Sequence, residues 1–167
     1  IVKASGGGGG KGMRIVRSAV DLYDAVQMCS QEAANSFKSN AILLEKYIDN
    51  PRHLEVLVFG DGKGNMVHFY DRECSVQRRY QKIIEEAPCP VLSSAEREHV
   101  GNLALRFVKA KGYQSLGTVE FLYDEGQFYF MEMNTRAQVE HPVSEMVTGI
   151  DLIKEQIKIA QGEKLNL

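Results

Sequence analysis

Apolar positions along this chain come first as short runs and then as a helical stripe. Ile1 to Ala4 is an apolar run that predicts a strand, and Met13 to Val16 predicts another. From Ala19 to Phe37, Val20, Ala25, Val26, Cys29, Ala33 and Ala34 recur at helical spacing, and Ala41 to Ile48 is again an apolar run. The opening segment therefore reads β-loop-β-α-β. Asn50-Pro51 is a turn signal and marks a boundary, with a small unit over 1–49 and a larger one over 50–167. Leu54-Glu55-Val56-Leu57-Val58 alternates as a strand does, Gly60 to Asn65 reads as a hairpin turn, and Met66 to Tyr70 returns as the second strand. Gln81 to Glu86 predicts a third. Pro88 and Pro90 break the chain, and Ser93 or Ser94 caps a helix running to about Lys111. Thr118 to Tyr123 and Phe128 to Met133 predict strands joined by a tight turn at Glu125-Gly126. Pro142 to Val147 predicts one helical turn, and a last helix begins near Asp151. The fold class is α+β, with mostly antiparallel sheets and no internal repeat.

Composition narrows the function classes. The chain is 44% apolar and 25% charged, with a net charge of -2, so neither nucleic acid nor an anionic membrane surface is an expected partner. No apolar run approaches the ~20 residues of a membrane helix. Cys29, Cys74 and Cys89 form no CxxC pair, which argues against a disulfide framework or a structural zinc site and for reduced thiols.

Five glycines, Gly6 to Gly10, followed by Lys11 and Gly12, interrupt the first two strands. A linker would not sit between two short strands of one unit. Glycines let backbone N–H groups approach a phosphate, so the run is a candidate phosphate cradle. It is not a Walker A loop: counting back from Gly10-Lys11 puts Ser5 at the first glycine position and Gly12 where Ser or Thr is needed. Gly7, Gly9 and Gly12 fit GxGxxG, but the dinucleotide version needs a helix next, and Met13-Arg14-Ile15-Val16 is β-like. A glycine flap between two strands remains, with Lys3 beside it as a point charge.

The hairpin at Glu125-Gly126 brings Glu120 and Glu132 opposite each other to within about one residue, near the ~4.5–5.5 Å Cβ spacing of cross-strand pairs. Both sit among apolar residues, so neither is expected to be fully solvated, and facing carboxylates repel. A divalent cation resolves the conflict, with Asn134 two residues on as a third oxygen donor. Glu132, Asn134, Arg136, Gln138 and Glu140 then alternate, and share one face if the chain stays extended. Arg78, Arg79 and Lys82 suit an anionic substrate or phosphate.

With Lys3-Ala4-Ser5 and GGGGGKGMR, then EKYIDNPRHLEV, RECSVQRRYQKIIEEAP, GTVEFLYD and FMEMNTRAQVEHPVSEMVTGIDLIKEQ, the whole chain resembles the ATP-grasp region of biotin carboxylases. It is most similar to that of acetyl-CoA carboxylase, and slightly less to the domains of propionyl-, methylcrotonyl- and pyruvate carboxylases. The resemblance implies a small glycine-loop lid and a larger, mostly antiparallel body, together a fragment of a larger enzyme. It also implies that ATP phosphorylates bicarbonate to carboxyphosphate and that biotin on a carrier protein is carboxylated. By resemblance, Lys3, Gly8, Gly9 and Gly10 bind phosphates, Glu45, Lys46, Tyr47 and Ile48 hold adenine at a hinge, and His53 and Gln77 lie near the nucleotide. Glu120, Glu132 and Asn134 hold Mg2+ or Mn2+. Lys82, Arg136, Gln138 and Val139 surround bicarbonate, and Glu140 is its general base. Tyr80 departs from the His or Asn usual in the family. The resemblance further implies a biotin carboxyl carrier protein and a carboxyltransferase as partners, a homodimeric parent, and a cytoplasmic or organellar-matrix location. The alternatives are another ATP-grasp ligase, of urea carboxylase or carbamoyl-phosphate type, and a non-catalytic assembly fragment.

Overall fold

In the computed structural model, which describes residues 1–6 and 12–167, the chain divides into two units. The first comprises 1–49 with 78–81, the second 50–77 with 82–167. In the first, β1 (Val2–Ala4) lies between β2 (Met13–Arg14) and β3 (Ile42–Leu44), antiparallel to both. Helix α1 (Ala19–Phe37) starts where the Ser18 hydroxyl accepts the Val20 amide, satisfying one orphan N–H of the first turn. It buries Ala25 and Cys29 against Val2, residues small enough for the helix to approach the short sheet closely. Lys3 pairs with Met13, so the glycine run does join paired strands. Gly8, Gly9 and Gly10 themselves lie outside the described residues.

The second unit is built on a five-stranded sheet of order β6-β5-β4-β7-β8. Its strands are β4 (Arg52–Asp61), β5 (Met66–Arg78), β6 (Gln81–Glu86), β7 (Gln114–Asp124) and β8 (Gln127–Asn134). The pairs β4–β5, β4–β7 and β7–β8 are antiparallel. Two-residue turns with positive φ join β5 to β6 at Arg79 and Tyr80, and β7 to β8 at Glu125 and Gly126, a twist that suits antiparallel hairpins. Strand β5 runs well past Tyr70, where a bulge with φ 55 absorbs one residue and pairing then resumes. The extra length was hidden from the sequence by Asp71, Arg72 and Glu73, polar residues that turn out to be buried.

Central strand β4 has both faces covered, so its alternation sorts two cores rather than core from solvent. Leu54, Val56 and Val58, with Val119 and Phe121, pack on Val100, Ala104 and Val108 of α2 (Ser94–Ala110). Leu57 and Phe59, with Leu116, pack on Leu152 and Ile159 of α4 (Leu152–Ala160). Ser93 and Glu96 close a reciprocal capping box at the start of α2. Arg97 ties that helix to β5 through Asp71 at 2.7 Å. Helix α3 (His141–Thr148) is longer than the single turn expected and ends at Gly149 with φ 71. No helix among the described residues is long and apolar enough to cross a membrane.

Gly101 on α2 has no room for a side chain: a Cβ there would stand 2.5 Å from the His68 ring. Alanine is the better helix former by about 1 kcal/mol, but overpacking costs typically ~1–3 kcal/mol. Gly101→Ala is therefore expected to lower the thermal midpoint, and a raised midpoint in a melting experiment would show that His68 moves aside freely.

Candidate active site

A single rung of the larger sheet carries four charged side chains. The register places Arg72 on β5 opposite Glu55 on β4, Glu55 opposite Glu120 on β7, and Glu120 opposite Glu132 on β8. Because strand residues alternate faces, Glu55 shares its face with Leu57 and Phe59, and Glu120 with Leu116, on the α4 side. Three glutamates in a row across adjacent strands repel one another. Glu55 and Glu120 are buried and Glu132 is exposed, so burial of both hairpin carboxylates holds only for Glu120.

Lys82 on β6 offsets the repulsion. Its ammonium donates to Glu55 Oε2 at 2.5 Å, Glu140 Oε1 at 2.9 Å and Glu120 Oε1 at 3.1 Å. Fully buried Arg72 donates through Nε to Glu55 Oε1 at 2.7 Å, through Nη1 to Ser144 Oγ at 2.8 Å, and through Nη2 to Gln138 Oε1 at 3.1 Å. Glu120 Oε1 also accepts from Asn134 Nδ2 at 2.7 Å and from Gln138 Nε2 at 3.2 Å. Its Oε2 meets His53 Nε2 at 2.6 Å, while Gln77 Nε2 lies 2.7 Å from His53 Nδ1. These partners fit a histidine protonated on Nε2 that accepts at Nδ1. The Ser75 hydroxyl accepts the His53 amide at 2.9 Å and so fixes that strand end.

The charges reshape one another's acidity. Burial pushes the Lys82 pKa down, but Glu55 and Glu120 outweigh it and hold the ammonium above its ordinary range. Burial pushes Glu120 up, while the His53 hydrogen bond and Lys82 pull it down to about 2. Glu140 is likewise raised by burial and lowered further by its Lys82 hydrogen bond, with a net fall. At neutral pH Lys82 is thus held protonated, and Glu120 and Glu140 ionised.

The structure gathers Lys82, Glu120, Asn134, Gln138, Glu140, His53 and Gln77 into this one network. Strand β8 ends at Asn134, so the chain from Glu132 to Glu140 does not stay extended and its alternating residues do not share one face. Beyond the strand, the turn buries Gln138, leaves Arg136 exposed with Nη2 3.5 Å from Asn134 Oδ1, and sends Val139 outward at 93% exposure. In the first unit Lys3 bonds Glu45 Oε2 at 3.0 Å, Tyr47 stacks under Arg17 with 5.3 Å from Cζ to the ring centroid, Ile48 is buried and Lys46 is exposed. Tyr80 lines a cavity of about 490 Å3 with Met13, Arg14, Ile15 and Met28, and takes no part in the charge network. Sequence reasoning missed Glu55, Arg72 and Ser144. The available signal was Glu55, a glutamate inside the apolar run Leu54–Phe59, which in a buried sheet must pair; Arg72, between Asp71 and Glu73, gave none.

The donor set fits a hard divalent cation. Glu120, Glu132 and Asn134 offer oxygen only, and the rung has negative charge to spare. Among the described residues no three His, Cys, Asp or Glu side chains are grouped so as to hold a metal ion by themselves.

Comparison with known proteins decides the family. The model for the carbamoyl-phosphate synthase L chain, ATP-binding domain, matches residues 1–167. The chain belongs to that family. It is 57% identical over its whole length to the mitochondrial methylcrotonoyl-CoA carboxylase subunit alpha of Oryza sativa subsp. japonica, covering 23% of that protein. It is 53% identical over its whole length to biotin carboxylase 1 of Bacillus subtilis (strain 168), covering 38%. The biotin carboxylase from Campylobacter jejuni, solved as a β-γ-ATP complex, superposes with a TM-score of 0.95 at 50% identity over 99% of this chain and 37% of that one. The biotin carboxylase domain dimer of Hydrogenobacter thermophilus 2-oxoglutarate carboxylase, with MgADP, ADP and bicarbonate, gives 0.93 at 50% identity over 99% and 37%. The fold of this ATP-binding domain is therefore the ATP-grasp fold of biotin carboxylases, and the chain spans well under half of these relatives' length.

The depressed Glu120 pKa sets a pH dependence. A carboxyl lowered from 4.5 to about 2 contributes stability that is fully present above pH 4.5 and is lost as pH falls toward 2. Urea midpoints are expected to fall across that window, and less steeply for Glu120→Gln. Parallel curves for the two would contradict the assignment.

Proposed function

We propose that this chain forms the nucleotide- and bicarbonate-handling part of a biotin carboxylase, a ligase that joins carbon to nitrogen by carboxylating carrier-bound biotin at the expense of ATP. The observation that carries the reading is the convergence of Lys82, Gln138 and Glu140 beside Glu120: cation and amide to hold a small oxyanion, and a carboxylate base within reach of it. The biotin carboxylase relatives support the same reading.

In this mechanism Lys82, Arg136 and Gln138, with the Val139 backbone, orient bicarbonate. Glu140 leaves the Lys82 ammonium to accept the bicarbonate proton. The freed oxygen attacks the γ-phosphorus of ATP, the bond to ADP breaks, and carboxyphosphate forms; it then divides into CO2 and phosphate, and a biotin nitrogen takes up CO2 and gives its proton to the phosphate. Mg2+ held by Glu120, Glu132 and Asn134 would neutralise phosphate charge. His53, bonded to Glu120 and Gln77, keeps that carboxylate aimed. Lys3 and the Gly8–Gly10 run serve the phosphates, and Glu45, Lys46, Tyr47 and Ile48 the adenine. A carrier protein and a carboxyltransferase complete the cycle, in a parent that works as a homodimer in cytoplasm or organellar matrix.

The test is transfer of labelled bicarbonate to free biotin by the full-length enzyme with Mg-ATP. Label is expected in biotin, reduced by about 100-fold or more in Glu140→Gln. ATP turnover with no label in biotin would favour another acceptor, urea or an amine. Because the chain spans only part of its relatives, the isolated chain is expected to lack bicarbonate-dependent ATPase activity. Measurable bicarbonate-dependent ATPase activity from the isolated chain would overturn that.

A further inference from the structure

The turn that carries Arg136, Gln138 and Glu140 has no strand partner to hold it, since β8 ends at Asn134. Its backbone bonds are local: His141 N donates to Gln138 O at 3.3 Å, and Val143 N to Glu140 O at 3.1 Å. Side chains tie it to the sheet: Gln138 donates to Glu120 on β7, Lys82 on β6 donates to Glu140, and Arg72 on β5 reaches the turn, α3 and β4 at once. One nitrogen holds the side-chain amide oxygen of Gln138, a second holds Ser144 on α3 just beyond the turn, and Nε holds Glu55, whose other oxygen receives Lys82. The guanidinium is completely buried and its fork is planar, so the three directions are fixed relative to one another. Each of its acceptors leads directly to a group facing the candidate bicarbonate site: Gln138 itself, Glu140 through α3 and the turn, and Lys82 through Glu55.

We propose that Arg72 is a positioning residue for bicarbonate, setting the Gln138–Glu140 turn and the Lys82 ammonium in mutual register without touching substrate. This rests on the reading of Lys82, Gln138 and Glu140 as the bicarbonate ligands. Lysine at this position keeps the charge and loses the fork, so it cannot reach Glu55, Gln138 and Ser144 together. Removing one acceptor, Ser144, is a milder disturbance that leaves the buried ion pair intact.

The experiment uses the full-length enzyme and compares Arg72→Lys and Ser144→Ala with the parent in steady-state kinetics and thermal melting. Arg72→Lys is expected to raise KM for bicarbonate by about tenfold or more while KM for ATP stays within about twofold. Ser144→Ala is expected to move KM for bicarbonate in the same direction by about threefold, with KM for ATP within about twofold. A purely structural arginine would lower the midpoint and the amount of active enzyme while leaving KM for bicarbonate as it was, and that result overturns the proposal. If Arg72→Lys does not fold, Ser144→Ala decides alone: an unchanged KM for bicarbonate in that variant overturns it. A parent without bicarbonate-dependent turnover would instead refute the underlying functional reading.

Discussion

Three glutamates aligned across neighbouring strands are the constraint around which the larger unit is arranged. Glu55, Glu120 and Glu132 occupy one rung, and like charges facing each other across strands are destabilising. Two of them are also removed from water, where an unpaired charge is costlier still. The sheet tolerates the row because Arg72 continues it on one side and Lys82 reaches in from β6. Taking one partner from such a buried pair typically costs about 3–5 kcal/mol, because the other charge remains buried. The apolar cores on either face then act as walls that keep the partners dry and in place.

The same arrangement links stability to chemistry. Lys82 is shared among three carboxylates, so it can release Glu140 and still be held by Glu55 and Glu120. On the proposed reading of Glu140 as the base, a single dedicated cation would hold it more firmly. Glu120 is held ionised by His53 and Lys82, and on the proposed metal reading it and the exposed Glu132 supply the charged oxygens that a hard cation takes. The excess of negative charge that a protein core would avoid is here the feature that favours a charged ligand.

Much of this was legible in the sequence, for identifiable reasons. The α1 stripe from Ala19 to Phe37 is regular and flanked by Ser18, and it is observed with those bounds. The Glu125-Gly126 turn fixes the β7–β8 register, which made the Glu120–Glu132 pairing readable. Strand β5 was cut short because the bulge at Tyr70 shifts the alternation and Arg72 looks like a surface residue until its three partners are known. Glu55 was passed over in the same way: polarity in a strand signals solvent in an exposed sheet and an ion pair in a covered one. The chain beyond Asn134 reads as alternating polar residues, yet the strand stops and a turn delivers Gln138 and Glu140 instead. Pairing information that settles such cases lies on other strands, far away in sequence.

The most direct test of the central claim is a carbon-detected NMR titration of the Glu120 carboxyl in the chain and in Lys82→Met. If Lys82 offsets the glutamate row, the Glu120 pKa, at about 2 in the parent chain, moves up toward the ordinary carboxylate range when the ammonium is removed. An unchanged Glu120 titration in a variant that retains its fold would contradict the claim, and would leave His53 as the group that holds the carboxylate ionised.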